Sequence, residues 1–513
     1  MSYPSRYNAA VAMVDKHVAE GRGGKKAFID PLRSLTYGEL AAQSNRFANV
    51  MAALAIPREA RVALLLHDTV DFPVAFWGAI KAGVVPVPLN TLLTTEQYGY
   101  ILEDSRARVL IVSPPLLAVV QPILGRLPSL THVVVAGGEA PPFAFSLEKE
   151  LAGQPTETRI ADTAADETAF WLYSSGSTGM PKGVRHVHTS MMETARLYGQ
   201  RVLGIQEADV VFSAAKLFFA YGLGNGMSFP LSVGATTVLL PERPTPDAVF
   251  RMLKTHQPTI FYGVPTLYTA MLATGVGREG GSERLRLCVS AGEALPAEIG
   301  KAWRGRFGVD ILDGVGSTEM LHIYVSNRPD DIRYGTSGKP VPGYDIRLVD
   351  EKGAEVAVGD VGEMLVRGPT TAEGYWNQRD KSRRTFAGEW MHTGDKYTCD
   401  ADGYYTYAGR TDDMFKVSGI WVSPFEVESA LVTHEAVLEA AVVPQEDSDG
   451  LLKPKAFVVL KSGQSADPAL DAALQEVVKA KAGPWKYPRW IVYVDALPKT
   501  ATGKIQRFKL RGA

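Results

Sequence analysis

The sequence predicts an α/β protein in two parts. A large N-terminal domain of layered α/β sheets ends in an antiparallel, barrel-like section, and a smaller α+β domain closes the chain. Three observations predict this. At 513 residues the chain is too long for one ordinary domain and short for four. Short apolar runs alternate with helical patterns over most of its length, the βαβ rhythm of parallel sheets. From about Gly335 the texture changes to alternating strands, and after Arg410-Thr-Asp-Asp413 it changes again.

Val62-Ala-Leu-Leu-Leu66 reads as a buried strand, followed by a helix at Phe72–Ala82 and a strand at Val84–Pro88. Val109–Val112, Thr131–Val135, Thr236–Leu240 and Thr259–Tyr262 are further strands, with a helix at Thr245–His256. Tyr344–Val349, Gly362–Arg367 and Gly403–Tyr407 alternate between Gly/Asp turns, as antiparallel strands do. Beyond Asp413 come a helix near Pro424–His434, strands at Ala440–Val443 and Ala456–Leu460, and a helix near Pro468–Ala482. The domains are therefore placed at 1–411 and 412–513. No internal repeat or low-complexity tract interrupts them.

With 54 Lys+Arg against 56 Asp+Glu, the chain lacks the electrostatic footprint of a nucleic-acid or membrane-surface protein. Cys288 and Cys399 are too few for a disulfide framework or a Cys-based zinc site, and they suit a reducing cytosol. Met1–Arg6 has no apolar core of a signal peptide. The most apolar stretch, Arg61–Asn90, is broken by His67, Asp68, Asp71 and Lys81, short of the roughly 18 residues a spanning helix needs. A soluble, cytoplasmic protein is expected. Residues 479–513 carry nine basic side chains and one acid, Asp495, which reads either as a solvated surface or as a patch that swings over an anion. The remaining lean is toward glycine, 49 residues, so where the glycines fall matters.

The densest small-residue cluster is Tyr173-Ser-Ser-Gly-Ser-Thr-Gly-Met-Pro-Lys-Gly-Val184, after the apolar lead Phe170-Trp-Leu172. Glycines let backbone N–H groups converge on an anion, hydroxyls add donors, and Lys182 supplies a point charge. The spacing is neither that of a Walker loop nor of the dinucleotide-binding Gly-x-Gly-x-x-Gly. No Gly-x-Ser-x-Gly elbow occurs, against an α/β-hydrolase.

This string resembles the phosphate loop of the adenylate-forming enzymes: acyl- and aryl-CoA synthetases, luciferases and peptide-synthetase adenylation domains. Gly316-Ser-Thr-Glu319, Trp390-Met-His-Thr-Gly-Asp395 with Gly409-Arg410, and Pro498-Lys-Thr-Ala-Thr-Gly-Lys504-Ile-Gln-Arg507 resemble that family's later motifs, in the expected order. The resemblance implies the following roles. Ser174, Ser175, Gly176, Ser177, Thr178, Gly179 and Lys182 hold the β- and γ-phosphates of ATP. Thr318 contacts phosphate, and Glu319 helps to hold Mg2+, a hard cation suited to carboxylate oxygen. Asp395 and Arg410 grip the ribose hydroxyls. Gly292, Glu293 and Ala294 cover one face of the adenine, Asp313 accepts from its amino group, and Val315 stands where many relatives have a stacking Tyr. Lys504 bridges the substrate carboxylate and the α-phosphate. The C-terminal domain then rotates about a hinge at Asp412, and Lys416, Ser418 and Gly419 line the path of the CoA thiol arm.

Beside these motifs, Phe219, Ala220, Tyr221, Gly292, Gly316, Leu321, His322 and Ile323 make a short, flat slot rather than an acyl tunnel. Phe218-Phe-Ala-Tyr-Gly222 with Gly316-Ser-Thr-Glu-Met-Leu-His322 is similar to the benzoate/4-hydroxybenzoate–CoA ligases, so a small aromatic carboxylate is the expected substrate. His322 would pair a ring hydroxyl. The alternatives are loading of a carrier protein in trans, another small carboxylic acid, a luciferase-like oxidase, and a non-catalytic ATP binder, which the presence of Lys504 opposes. The resemblance also admits a homodimer, and a lysine acetyltransferase and deacetylase acting on Lys504.

Overall fold

In the computed structural model, the buried apolar runs become neighbouring strands of two parallel sheets. The structure describes residues 3–174, 180–411, 413–417, 420–448, 451–499 and 505–511, with the backbone alone at 416, 420 and 421. One sheet has the order Val85–Pro88, Arg61–Leu65, Val109–Val112, His132–Val135, Phe145–Ser146, every pair parallel. All four residues of Val109–Val112 are buried. That is why this strand reads as an unbroken apolar run, for a parallel sheet is covered on both faces. The connecting helix Asp71–Ala82 is likewise buried nearly all round and ends at Gly83, which takes the left-handed conformation (φ 71°). It lies so close to the helix Tyr37–Ala53 that a Cβ at Gly78 would stand 2.5 Å from the Phe47 side chain.

The second sheet has nine strands, in the order Lys339–Pro340, Ile323–Ser326, Ile311–Gly316, Leu287–Ser290, Ile260–Gly263, Val210–Ser213, Thr236–Val238, Lys26–Ile29, Ser34–Thr36. Its middle six are parallel, and its margins antiparallel. One apolar core runs between the sheets, from Trp77 and Val109 to Val211, Val289 and Leu312. The helix expected at Thr245–His256 runs Pro246–His256, with Thr245 as its cap accepting from Ala248 N.

The later texture becomes a five-stranded antiparallel sheet of Asp345–Val349, Gly362–Arg367, Phe386–Ala387, Trp390–Cys399 and Tyr405–Arg410. The strand expected at Gly403–Tyr407 begins later because Gly403 belongs to the turn. Its φ is 83°, its N–H donates to Asp400 O, and the Asp400 carboxylate accepts from Tyr404 N.

Residues beyond 413 form a smaller unit with a core of its own, including Val427, Leu431, Val442, Val458, Leu474 and Val478. Val437–Glu446 pairs antiparallel with Leu452–Leu460, which pairs parallel with Trp490–Tyr493. The helix Pro468–Ala482 has the expected bounds, capped by Asp467. The helix from Pro424 ends at Leu431 rather than His434, where the Thr433 hydroxyl takes the Ala430 carbonyl. Both cysteines are free. Among the described residues no helix is long and apolar enough to cross a membrane.

Candidate active site

The hydroxyl-rich segment is bracketed by a hairpin. Thr168–Ser174 pairs antiparallel with Lys182–Val187, placing Ser174 opposite Lys182, while residues 175–179 lie outside the described residues. The hairpin's period-2 pattern anchors it on both faces. Trp171 packs on Trp376 at 4.8 Å with Arg61 over both rings, and the Tyr173 hydroxyl donates to Asp104 (2.6 Å). Phe170, on the other face, enters the main core. A third strand, Gly374–Tyr375, pairs with Arg185 and Val184 and completes the edge.

Four polar side chains meet there. The Tyr375 hydroxyl donates to Glu319 Oε1 (2.8 Å), and Ser174 Oγ donates to the same oxygen (3.3 Å). Lys182 Nζ donates to the Tyr375 hydroxyl (3.4 Å), sits 4.4 Å from that ring's centre, and lies 3.9 Å from Glu319 Oε1. Burial lowers the Lys182 pKa; the Glu319 carboxylate opposes this, and Lys381 and Arg410 add to it. Anion-attracting charge is thus gathered around one acceptor. Tyr375 and Lys381 had no signal in the sequence, because the chain brings them back to the hairpin about 190 residues later.

Glu319 follows the strand Ile311–Gly316 in a tightly held loop. Gly316 has no room for a side chain, since a Cβ there would stand 2.5 Å from His322 O. Leu321 adopts the left-handed region (φ 67°), which turns the chain back so that Ile323 pairs with Gly316. Three successive carbonyls are fixed. Thr318 O accepts from His186 Nε2 (2.9 Å), Glu319 O from Ala372 N (2.8 Å), and Met320 O from the Thr370 hydroxyl (2.7 Å).

At the carboxyl ends of adjacent parallel strands, Gly263, Ser290 and Asp313 stand in register. Asp313 Oδ1, Ser290 Oγ and the Tyr262 hydroxyl are buried without a partner in the protein. Burial raises the Asp313 pKa well above the carboxylate range. Gly292 (φ 96°) is exposed, and Glu293, Ala294 and Val315 are half-buried. These residues border the strand ends, where open α/β sheets bind ligands. Asp395 and Arg410 are directly opposite each other on paired strands. Arg410 Nη1 donates to Asp395 Oδ1 (2.9 Å) and Thr393 O (3.0 Å), so the two residues expected to share a ribose are together.

In the expected aryl slot, Phe219 and Tyr221 are half-buried, while Ala220, Leu321, His322 and Ile323 are buried. Phe218 lies in the core, its ring edge-on to Phe219. The Tyr221 hydroxyl is committed to Val289 O (3.1 Å) and Gly263 O (3.2 Å). His322 Nε2 lies 3.2 Å from both Tyr221 O and Asn225 Oδ1. Both are acceptors, so Nε2 carries the proton and Nδ1, buried without a partner, is a bare acceptor. Burial pushes the His322 pKa down to about 3, so the ring is neutral. The Tyr221 carbonyl sets this tautomer, and Asn225, unnoticed in the sequence, presents its amide oxygen to the same N–H.

Among the described residues no three His, Cys, Asp or Glu side chains converge as a metal cage. The chemistry of the set still fits Mg2+, which binds through one or two carboxylates together with substrate phosphates and water. Glu319 is the carboxylate beside the hairpin that carries Ser174 and Lys182.

Lys504, Asp412, Ser418, Gly419 and the side chain of Lys416 lie outside the described residues. The residues flanking 500–504 are paired: Lys499 forms a β-bridge with Ile505, and Gln506 N donates to Pro498 O (2.8 Å). Most of the basic run after Val478 is not a free patch. Lys479 pairs with Glu476, Lys486 with Glu426, Lys499 with Glu439, Arg507 with Glu428 and Arg511 with Asp413. Local charge counting missed these partners because four of the five acids lie 60 to 98 residues upstream.

A lysine-and-hydroxyl hairpin, a carboxylate loop and an Asp–Arg pair gathered at the ends of parallel strands define a nucleotide-handling α/β enzyme. The chain belongs to the AMP-binding enzyme family, whose model matches residues 15–376; the AMP-binding enzyme C-terminal domain matches residues 426–504. It is 59% identical to a 4-hydroxybenzoate–CoA/benzoate–CoA ligase of Rhodopseudomonas palustris, over 98% of this chain and 94% of that protein. It is 58% identical to a benzoate–CoA ligase of Thauera aromatica, over 99% and 97%. Among solved structures it superposes on an anthranilate CoA ligase in complex with anthranoyl-AMP with a TM-score of 0.94 (45% identity, 99% and 97% covered). A benzoate CoA ligase from Burkholderia xenovorans LB400 gives 0.91 (51% identity, 98% and 100% covered).

Proposed function

We propose that this chain is an AMP-forming aryl-CoA ligase. It converts benzoate and/or 4-hydroxybenzoate, ATP and CoA to aryl-CoA, AMP and diphosphate through an aryl-adenylate. The observation that carries this reading is the 59% and 58% identity, over nearly the whole chain, to ligases named for those acids.

A carboxylate is a poor electrophile, and joining it to AMP provides a leaving group. In the first half-reaction the carboxylate oxygen attacks the α-phosphorus and diphosphate departs. The protein's task is to place two anions together and to hold charge as it moves onto the leaving phosphates. Lys182 and the 174–179 loop take the β- and γ-phosphates, and Thr318 steadies the phosphate chain. Mg2+, held at Glu319, neutralises phosphate charge when bound. Asp395 and Arg410 hold the ribose, and Asp313 Oδ1, buried without a hydrogen-bond partner in the protein, suits the adenine amino group. Val315 gives apolar contact in place of stacking. Lys504 bridges the carboxylate and α-phosphate. Domain 412–513 then rotates about Asp412, so that Lys416, Ser418 and Gly419 admit the thiol, which attacks the acyl carbonyl and expels AMP.

The test is ATP-dependent AMP release from a panel of acids, with and without CoA. CoA-dependent release with benzoates is expected; release with fatty acids instead would overturn the aryl assignment. Loading of a carrier protein is the weaker reading, since the relatives at 59% and 58% identity are both named as CoA ligases. The proposal includes a cytoplasmic homodimer and reversible acetylation at Lys504, checked by light scattering and by mass spectrometry of protein from its host.

His322 supports a preference for the hydroxylated acid, because its bare Nδ1 can accept from a phenol but gains nothing from benzoate. His322→Leu is expected to lower kcat/KM for 4-hydroxybenzoate about tenfold more than for benzoate. Equal losses with the two acids would assign His322 to shaping the wall alone.

A further inference from the structure

We propose that His186 is a positioning residue for adenylation, locking the Thr318–Glu319 loop to the phosphate hairpin; this rests on the function proposed above. His186 lies four residues after Lys182 on the strand Lys182–Val187, so strand periodicity puts both side chains on one face. Its Nε2 is 2.9 Å from Thr318 O. A carbonyl only accepts, so Nε2 carries the proton. Nδ1 is buried with no partner, so a second proton would be a buried N–H with nothing to receive it. The ring is completely buried, and its pKa is pushed down to about 4 by that burial, which keeps it a neutral, single-donor group. Phe170 stacks on the imidazole (5.2 Å between centres, 21° between planes) and fixes the direction of the donor.

The far end of this hydrogen bond explains its use. The loop turns at Leu321 in a left-handed conformation that a leucine adopts only when its surroundings enforce it. The Ala372 and Thr370 bonds hold Glu319 O and Met320 O from the side of the third hairpin strand. His186 holds Thr318 O from the strand that carries Lys182. The distance between Lys182 and the Thr318–Glu319 pair is therefore set by a rigid, uncharged strut. Both ends of a bound triphosphate depend on that distance, whereas thiol attack on a finished adenylate does not.

The experiment compares wild type, His186→Gln and His186→Leu. Gln carries an amide donor able to reach the same carbonyl, and Leu fills the space without one. Benzoate-dependent ATP–diphosphate exchange is measured against MgATP concentration, and CoA thioesterification is measured from supplied benzoyl-AMP. In H186L the KM for MgATP is expected to rise about three- to tenfold, with a smaller change in kcat, as loss of one buried hydrogen bond predicts. H186Q is expected to recover most of this, and thioesterification to stay unchanged in both. A wild-type KM in H186L, a Gln variant no better than Leu, or an equal loss in thioesterification would overturn the proposal. If H186L loses cooperative melting, His186→Met takes its place with the same outcomes. Absence of any benzoate-dependent exchange in the wild type would instead refute the functional reading on which the proposal rests.

Discussion

Glu319→Gln is expected to lower the rate of aryl-adenylate formation by about 10²–10³, the cost of losing an electrostatic contact to a charge-separating transition state. The substitution is nearly isosteric and keeps an oxygen for Tyr375 and Ser174, which donate to Oε1 at 2.8 and 3.3 Å. The loop geometry should survive, since its carbonyls are held by His186, Ala372 and Thr370. What disappears is the negative charge. It is the carboxylate proposed to hold Mg2+, so the concentration of Mg2+ needed for half-maximal exchange should rise. It is also the counter-charge of Lys182, 3.9 Å away. Burial lowers the Lys182 pKa and the Glu319 carboxylate raises it, so removing the carboxylate lets the pKa fall further. The alkaline limb of the pH–rate profile for adenylation should accordingly shift to lower pH in E319Q. Thioesterification from supplied benzoyl-AMP needs neither effect and should be nearly intact. A variant with wild-type exchange and an unmoved alkaline limb would remove Glu319 from the phosphate site.

The two halves of this site differ in how far the sequence disclosed them. Gly316, Thr318, Glu319, Asp395 and Arg410 are assigned through short strings that resemble the family's motifs, and their proposed roles at phosphate, metal and ribose come from that resemblance. The structure brings Asp395 and Arg410 into direct register. Tyr375, Asn225 and His186 were not legible. Each acts through a partner far along the chain, as with His186 and Thr318, 132 residues apart, and no local pattern marks such a pairing. The fold shows the same division. The helix Pro468–Ala482 was readable to the residue because Asp467 caps it and Pro468 opens it. The strand Tyr405–Arg410 begins later than its sequence pattern suggests because Gly403 serves the turn, where composition alone does not separate it from the strand. Charge misled for a related reason: a run of lysines and arginines looks like a patch until the acids that neutralise it are brought back by folding.

Asp412→Pro is expected to spare adenylation and to lower thioester formation at least about tenfold. Thr411 N donates to Gly394 O (2.9 Å), in the strand that carries Asp395. Asp413, on the other side, pairs with Arg511 (2.6 Å) and lies 3.6 Å from Arg507, near the end of the chain. Arg507 in turn makes two bonds to Glu428, on the helix Pro424–Leu431, so Asp413 is tied to the core of the smaller unit. The Asp413 side chain thus reaches the smaller unit while its backbone N–H donates to Arg410 O (3.1 Å) in the larger one, so the pivot proposed at residue 412 lies beside the junction that a rotation must rearrange. Proline there locks φ near −65° and pushes Thr411 away from helical geometry, restricting the torsions that a rotation must change. The Arg507 network favours the same site for another reason. It lies three residues after Lys504, so a turn at 412 would carry the lysine loop as one body with Glu428 rather than dragging it alone. Single-turnover measurement of the two half-reactions separates the possibilities. Equal loss of both in a stably folded D412P variant would place the pivot elsewhere. Loss confined to thioester formation would make rotation about this residue the step that lets CoA reach the adenylate.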